Sequence, residues 1–459
     1  MTNISDKISA IEKQLDITGY RFGEEDVWPV IRIAIYLSST KSTSGGRVSP
    51  LKRLNFLLAG GWHFLKNQVL NLTPGKHEVA LVTTSHYKVV ENGRVYDRII
   101  DPVLRYLTDK GKKFRVFEFT GKYAYDKDIN YRKNLRPIHQ EVYFFSLMKR
   151  IFRRSNYKLT GDISALNNLL QVYEINFSID TSFIKKLELI FLQADYFQMV
   201  LRKSGVKHLF VVCYYDAKCF SFMLAANRLG LQTIDLQHGV QGKQHMAYAK
   251  WPLDTLCRAK FLPTHFYVWD RSSFNAILEW RQDADKILLG SNKWFEERAK
   301  KVSNDTILLS LQPIDDFLPD YVLSLIKGYT GNKKWYARLH PRQIDEIDKI
   351  ESLFAREGLL EKVDVRKASH TPLTDLLQHT AIHITFYSSV AIEAGYFQIP
   401  TYFLSEKGMS YFTDSLDEKL IYCYPKDDFT EVLAKLDTIP ADAEKHEDRI
   451  NTLDRLFYD

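Results

Sequence analysis

The sequence predicts an α/β protein of two doubly wound, Rossmann-like domains that face each other across a cleft. Three observations carry this. Apolar runs of strand length alternate with stretches of helical periodicity, the pattern of parallel strands joined by crossover helices. The alternation breaks near residues 285–305 and then restarts, and 459 residues exceed what one hydrophobic core usually supports.

The elements follow in order. The first ~75 residues read as helical and irregular, with a loop at Ser42–Ser49 rich in Ser, Thr, Gly and Arg. Val79–Thr84 is apolar between polar flanks, as a strand buried on both faces is. Phe114–Phe119, Leu209–Tyr214, Gln232–Gln237 and His265–Trp269 complete the first strand set. Ala217–Leu229 reads as a helix stopped by Gly230. In the second half, Thr306–Leu311, Trp335–Leu339, Val363–Lys367, Ala381–Thr385 and Pro400–Leu404 read as strands. Asp320–Gly328, Ile344–Gly358, Thr374–His379 and Ser388–Phe397 read as helices. The expected organisation is an N-terminal domain over 1–290, a C-terminal domain over 291–440 and a charged helix over 441–459 that packs back on the N-terminal domain.

Composition excludes several classes. With 45% hydrophobic and 26% charged residues, the chain is of ordinary globular make-up and has ample material for a core. Cys213, Cys219, Cys257 and Cys423 lack CxxC or metal-type spacing and read as free thiols in a reducing compartment. No signal-peptide pattern opens the sequence and no run reaches the ~18–20 apolar residues of a membrane span, so a cytoplasmic protein is expected. The net charge of +7 is uneven: Lys41 to Lys88 holds seven Lys or Arg and one acid, Glu78. A second basic cluster follows at Lys149, Arg150, Arg153, Arg154 and Lys158. Such patches suit an anionic membrane surface, a nucleic acid or an acidic glycan alike. Leu51–Leu72, with Phe56, Trp62 and Phe64 among its apolar residues and Lys52, Arg53 and Lys66 beside them, reads either as an interfacial helix or as one packed on the first sheet.

In open parallel sheets, ligands bind beyond the carboxyl ends of the strands, near helix N-termini. That rule selects three places. At Thr385–Gly395 a strand runs into a helix start carrying Ser388 and Ser389, whose hydroxyls and free N–H groups suit a phosphate, with Glu393 one turn deeper for a ribose. At Arg338–Arg342, His340 stands at a strand end, Pro341 fixes the turn, and Arg342 adds charge for a phosphate. At Leu236–His245, His238 ends a strand before Gly239 and is placed to act as a general base. Each has a plainer structural reading alone, as an N-cap, a surface loop or a capped strand. Asp126-x-Asp128 and Asp283-x-Asp285 have metal-type spacing but end no apolar strand, so no metal is expected. Gly-rich phosphate loops and a GxSxG elbow are absent.

The progression Gln237-His238-Gly239, His340-Pro341, Ser388-Ser389 with Glu393 resembles GT-B glycosyltransferases of bacterial capsule and lipopolysaccharide assembly. The His-Pro and paired-Ser motifs are similar to those of sialyl-, polysialyl- and Kdo transferases that use CMP-sugars. The same progression resembles CDP-glycerol glycerophosphotransferases of teichoic-acid synthesis. The resemblance implies a GT-B-like fold, with His340, Ser388 and Ser389 on the donor phosphate and Glu393 on the ribose. The acidic Asp/Glu-Asp/Glu-Gly motif that carries the base in many sialyltransferases is not visible, which leaves the base open among His238, His245, Asp216 and His86. The expected activity is transfer of a sugar from a nucleotide-activated donor, CMP-linked by this resemblance, to a surface glycan or lipid-linked glycan. The donor is a substrate, and no cofactor or nucleic-acid partner is expected. Alternatives are a CDP-polyol phosphotransferase, a nucleotide-sugar 2-epimerase of the same architecture, and a non-catalytic glycan-binding subunit.

Overall fold

The computed structural model describes residues 3–39, 50–69, 76–84, 87–91, 94–119, 135–152, 157–252, 259–312, 318–412, 421–423 and 450–458. A small hairpin, β1 (Arg21–Phe22) and β2 (Glu25–Asp26), precedes the first sheet. That sheet holds β3 (Val79–Thr84), β6 (Phe114–Phe119), β7 (Leu135–Pro137), β8 (His208–Val212), β9 (Gln232–Leu236), β10 (His265–Val268) and β11 (Ile287–Leu289). A second hairpin, β4 (Lys88–Glu91) and β5 (Arg94–Asp97), follows β3. The first sheet is parallel throughout, in the order β11-β10-β9-β8-β3-β6-β7. The second sheet holds β12 (Thr306–Ser310), β13 (Lys334–Arg338), β14 (Val363–Asp364), β15 (Thr380–Thr385), β16 (Thr401–Phe403) and β17 (Ile421–Cys423). It too is parallel, in the order β14-β13-β12-β15-β16-β17. Both sheets reverse direction of winding once, between β3 and β8 and between β12 and β15. These are the switch points at which doubly wound sheets open a crevice. Both are the doubly wound, Rossmann-type sheets that the sequence predicts.

Both faces of each sheet are covered, because successive strand residues point to opposite sides. In the first sheet Ala80, Val82, Leu209 and Val211 join one core with helices Thr181–Ser204 and Ala217–Arg228, where Phe197 and Phe222 stack at 3.7 Å. Val79, Leu81, Phe210 and Val212 join a separate core with helix Ile100–Asp109 and with Leu453 and Leu456 from the end of the chain. That end is also held by Tyr106 Oη, which donates to Asp454 at 2.6 Å.

Several expected elements differ in detail. The strand expected at Leu209–Tyr214 stops at Val212, because Cys213 takes a left-handed backbone (φ 64°). The strand expected at Val363–Lys367 is cut to two residues: Asp364 Oδ1 accepts Lys367 N–H at 3.0 Å and starts helix Arg366–His370. The helix expected at Ile344–Gly358 is a 3₁₀ turn, Pro341–Glu346, followed by helix Ile347–Arg356. β11 falls inside the stretch expected to be a connection. The expected loop at Ser42–Ser49, and His86, Asp126, Asp128, Cys257 and residues 441–449, lie outside the described residues.

Candidate active site

On the N-terminal side, the end of β9 delivers His238. Gln237, fully buried, anchors the turn: its Nε2 donates to Asp270 at 2.8 Å and to the Gly239 carbonyl at 2.9 Å, while its Oε1 accepts Trp269 N–H. His238 thereby sits among aromatic rings, 5.8 Å from Tyr87 and 5.8 Å from Tyr215 between centroids. Tyr215 Oη lies 3.3 Å from His238 Nε2 and 3.2 Å from His245 Nε2. Burial pushes the His238 pKa down to about 4, the Leu236 backbone opposing and the charge of Arg98 adding to the fall. Burial pushes His245 down to about 3, helped by His238. Both imidazoles are therefore neutral at pH 7. Behind Tyr248, buried Asp235 accepts its Oη at 2.8 Å and Tyr214 N–H at 2.9 Å, and burial raises the Asp235 pKa to about 7. Asp216, the third candidate base, caps helix Ala217–Arg228 by accepting Lys218 N–H at 2.9 Å.

On the C-terminal side, the predicted residues stand at the ends of β13 and β15, flanking β12. Gln312, just past β12, accepts Tyr387 N–H at 2.7 Å and ties this loop to the crevice floor. Thr385 Oγ1 donates to the Ser310 carbonyl and receives Ser388 N–H at 3.4 Å; Ser388 Oγ in turn accepts Val390 N–H at 3.3 Å. Ser389 is the N-cap of helix Val390–Tyr396, and Glu393 lies in its first turn. His340 follows β13 and is half-buried, its carbonyl accepting Gln343 N–H at 2.8 Å; Pro341 and Arg342 open the 3₁₀ turn.

The two sides meet through a residue that sequence reasoning missed. Arg98, just after β5, pairs with Glu393 at 3.3 Å. Burial raises the Glu393 pKa, and the charges of Arg98 and Arg338 oppose the rise. Arg338 is itself fixed by donating to the Ala368 and Thr371 carbonyls, each at 2.6 Å. Arg98 thus acts on both His238 and Glu393, from opposite halves of the chain. Around this contact, Val240 packs with Ala391, Phe403 and Phe412. Gly242 lies so close to the Tyr411 carbonyl that a Cβ would stand 2.6 Å from its oxygen, so only glycine fits there. Asp283 and Asp285 lie apart in an exposed turn, where Asp283 accepts Asp285 N–H. Among the described residues no three His, Cys, Asp or Glu side chains converge as a metal-ligand set.

No protein-family model matches the chain, and no curated protein matches it. Among solved structures it is similar to the UDP-GlcNAc 2-epimerase from Methanocaldococcus jannaschii, with 12% identity and a TM-score of 0.49 over 81% of this chain and 95% of that one. It is similar to the UDP-GlcNAc 2-epimerase from Neisseria meningitidis bound to UDP-GlcNAc, with 12% identity and a TM-score of 0.45 over 78% of this chain and 90% of that one. A glycosyltransferase from Rickettsia africae ESF-5 is similar at 14% identity and a TM-score of 0.44, over 79% of this chain and 88% of that one.

Proposed function

We propose that the protein is a glycosyltransferase that moves a sugar from a nucleotide-activated donor, CMP-linked, to a bacterial surface glycan or lipid-linked glycan. The observation that carries the reading is the contact of Arg98, just after the β4–β5 hairpin, with Glu393 in the helix after β15, where the charge of Arg98 also acts on His238 and that of Arg338 on Glu393. In this reading His340, Ser388 and Ser389 hold the donor phosphate, and Pro341 and Arg342 shape the turn beside it. Glu393, steadied by Arg98, takes the ribose hydroxyls. The acceptor lies against His238 on the N-terminal side; a single displacement inverts the sugar as the nucleotide leaves with its phosphate, and the acceptor hydroxyl's proton passes to a base, for which the candidates besides the two imidazoles are Asp216 and His86. The nucleotide-sugar is a substrate, and the reaction calls for no metal or cofactor.

A thermal-shift panel of CMP, CDP, UDP and GDP tests the donor. Ligand at about 100 times its Kd adds roughly 2.7 kcal/mol of stability. CMP is expected to give the largest rise, and Glu393→Ala to reduce it more for the ribonucleotide than for its deoxy form. A panel in which no nucleotide raises Tm would end the transferase reading; a preference for UDP would move the protein toward UDP-sugar chemistry.

We place the lipid-linked acceptor's membrane against the helix pair Pro50–Phe64 and His139–Phe152. These pack through Gly60, where a Cβ would meet the Gln140 carbonyl at 2.4 Å, and leave Leu58, Trp62, Tyr143, Ile151 and Phe152 exposed. The sequence from Val27 to His77 contains no acid. No helix among the described residues is long and apolar enough to cross a membrane, so the contact is interfacial. Co-sedimentation with phosphatidylglycerol vesicles is expected at low salt and lost toward 1 M, where the Debye length falls to ~3 Å. Protein that stays in the supernatant at low salt would end the interfacial reading alone.

A further inference from the structure

The polarity of the hydrogen bonds around His238 can be worked out from heavy atoms alone. Ala247 N–H, a backbone donor with no choice, points at His245 Nδ1 at 3.3 Å. A neutral imidazole carries one proton, so a ring that accepts at Nδ1 bears its proton on Nε2. His245 Nε2–H then donates to Tyr215 Oη across 3.2 Å. The phenol has a single proton of its own, and with its oxygen already receiving one bond, that proton is free to point to His238 Nε2, 3.3 Å away. The sulfur of Cys213 also faces the phenol, but a thiol is a weaker acceptor than an imidazole nitrogen. His238 therefore accepts at Nε2 and must carry its own proton on Nδ1. That nitrogen is buried and meets no partner at hydrogen-bond geometry among the described residues.

We propose that His238 meets its ligand as a hydrogen-bond donor, its proton fixed on Nδ1 by a one-way chain running from Ala247 N–H through His245 and Tyr215. This concerns the same cleft as the reading above and rests on it only for what the ligand is. An Nδ1–H in the field of the Arg98 charge suits an oxygen that has lone pairs to offer, such as a phosphoryl, carboxylate or hydroxyl oxygen. A proton-abstracting His238 would need its proton on Nε2, which either turns His245 Nδ1–H against Ala247 N–H, two donors facing each other, or gives the phenol proton to the sulfur of Cys213, the weaker acceptor. Tyr215 is thus a positioning residue, acting on the ligand through His238. The groups facing the two imidazoles are Tyr36, Tyr87, Tyr215, Tyr248, Cys213 and Arg98, and none is a carboxylate that would draw a second proton onto either ring.

The test is ¹⁵N spectroscopy of the full chain labelled only at histidine, with the His238 and His245 signals assigned by their loss in His238→Asn and His245→Asn. At pH 7 and without any ligand, His238 is expected as a single neutral tautomer with its proton on Nδ1, and His245 as the opposite one. In Tyr215→Phe, which keeps the ring packing, His238 is expected to become a mixture of tautomers. A His238 that carries its proton on Nε2, or both protons, in the wild-type protein overturns the proposal; so does a Tyr215→Phe spectrum identical to wild type. The wild-type spectrum decides even if the variant fails to fold. A protein that binds no nucleotide yet shows this tautomer pair would sink the transferase reading and leave the chain of hydrogen bonds standing.

Discussion

Replacing Arg32 with alanine is expected to lower the free energy of unfolding by about 3 to 5 kcal/mol, the range for breaking a buried ion pair from one side. The Arg32 side chain is fully buried and its Nε lies 2.8 Å from Glu12 Oε1, a carboxylate only 4% exposed. The guanidinium also donates to the carbonyls of Met246, Ala249 (3.2 Å) and Lys250 (2.7 Å), and stacks 4.2 Å from the Trp251 ring centroid. Alanine leaves Glu12 without its cation, with only Trp28 Nε1 still donating to it, and frees the carbonyls of a segment in which Lys250 has a left-handed backbone (φ 57°). Urea denaturation measures the loss, and a change below about 1 kcal/mol would show that water reaches the pair. The double variant Arg32→Met with Glu12→Gln is expected to recover part of the loss, because it removes the orphaned charge rather than the packing. Segment 246–251 follows directly on His245, so the same substitution is expected to disturb the imidazole pair at the cleft.

The sheets were legible in the sequence because parallel strands are buried on both faces and read as continuous apolar runs. Val79–Thr84 and Thr306–Ser310 stand out for that reason. β7 and β11, three residues each, are too short to leave a pattern, and β11 sits where the alternation lapses. Val363–Lys367 misleads because its apolar spacing fits a strand while Asp364 draws Lys367 N–H into the turn that opens a helix. In the candidate site, the rule of strand carboxyl ends selects His238, His340, Ser388 and Glu393, all at such ends or in the helix that follows. Arg98 follows no apolar run, and its meaning depends on Glu393, 295 positions away. Tyr215 is hidden by the run Leu209–Tyr214, which looks like strand up to its neighbour; the left-handed turn at Cys213 is what aims it at His238. Tyr-Tyr-Asp directly after a buried strand, with the Asp as a helix cap, is the one local signal that the chain turns there.

His238→Ala is expected to lower sugar transfer by about 10²- to 10³-fold, the range for losing one preorganised donor aimed at charge that develops only in the transition state, here on the departing oxygen. The nucleotide is assigned to the C-terminal side, so its affinity should stay within about twofold, a ΔΔG of roughly 0.4 kcal/mol. That separates His238 from His340 and Glu393, whose loss is expected to weaken nucleotide binding directly. The asparagine variant gives the sharper contrast. Its side-chain amide can place an N–H near the position of Nδ1, but it cannot take up a proton near neutral pH. If His238 serves as a donor, His238→Asn should retain at least tenfold more turnover than His238→Ala, with no new pH dependence between pH 6 and 8. Equal loss in both variants would make His238 the proton acceptor instead, and the burial that holds its pKa near 4 would then have to be relieved by the bound acceptor before a proton could leave it.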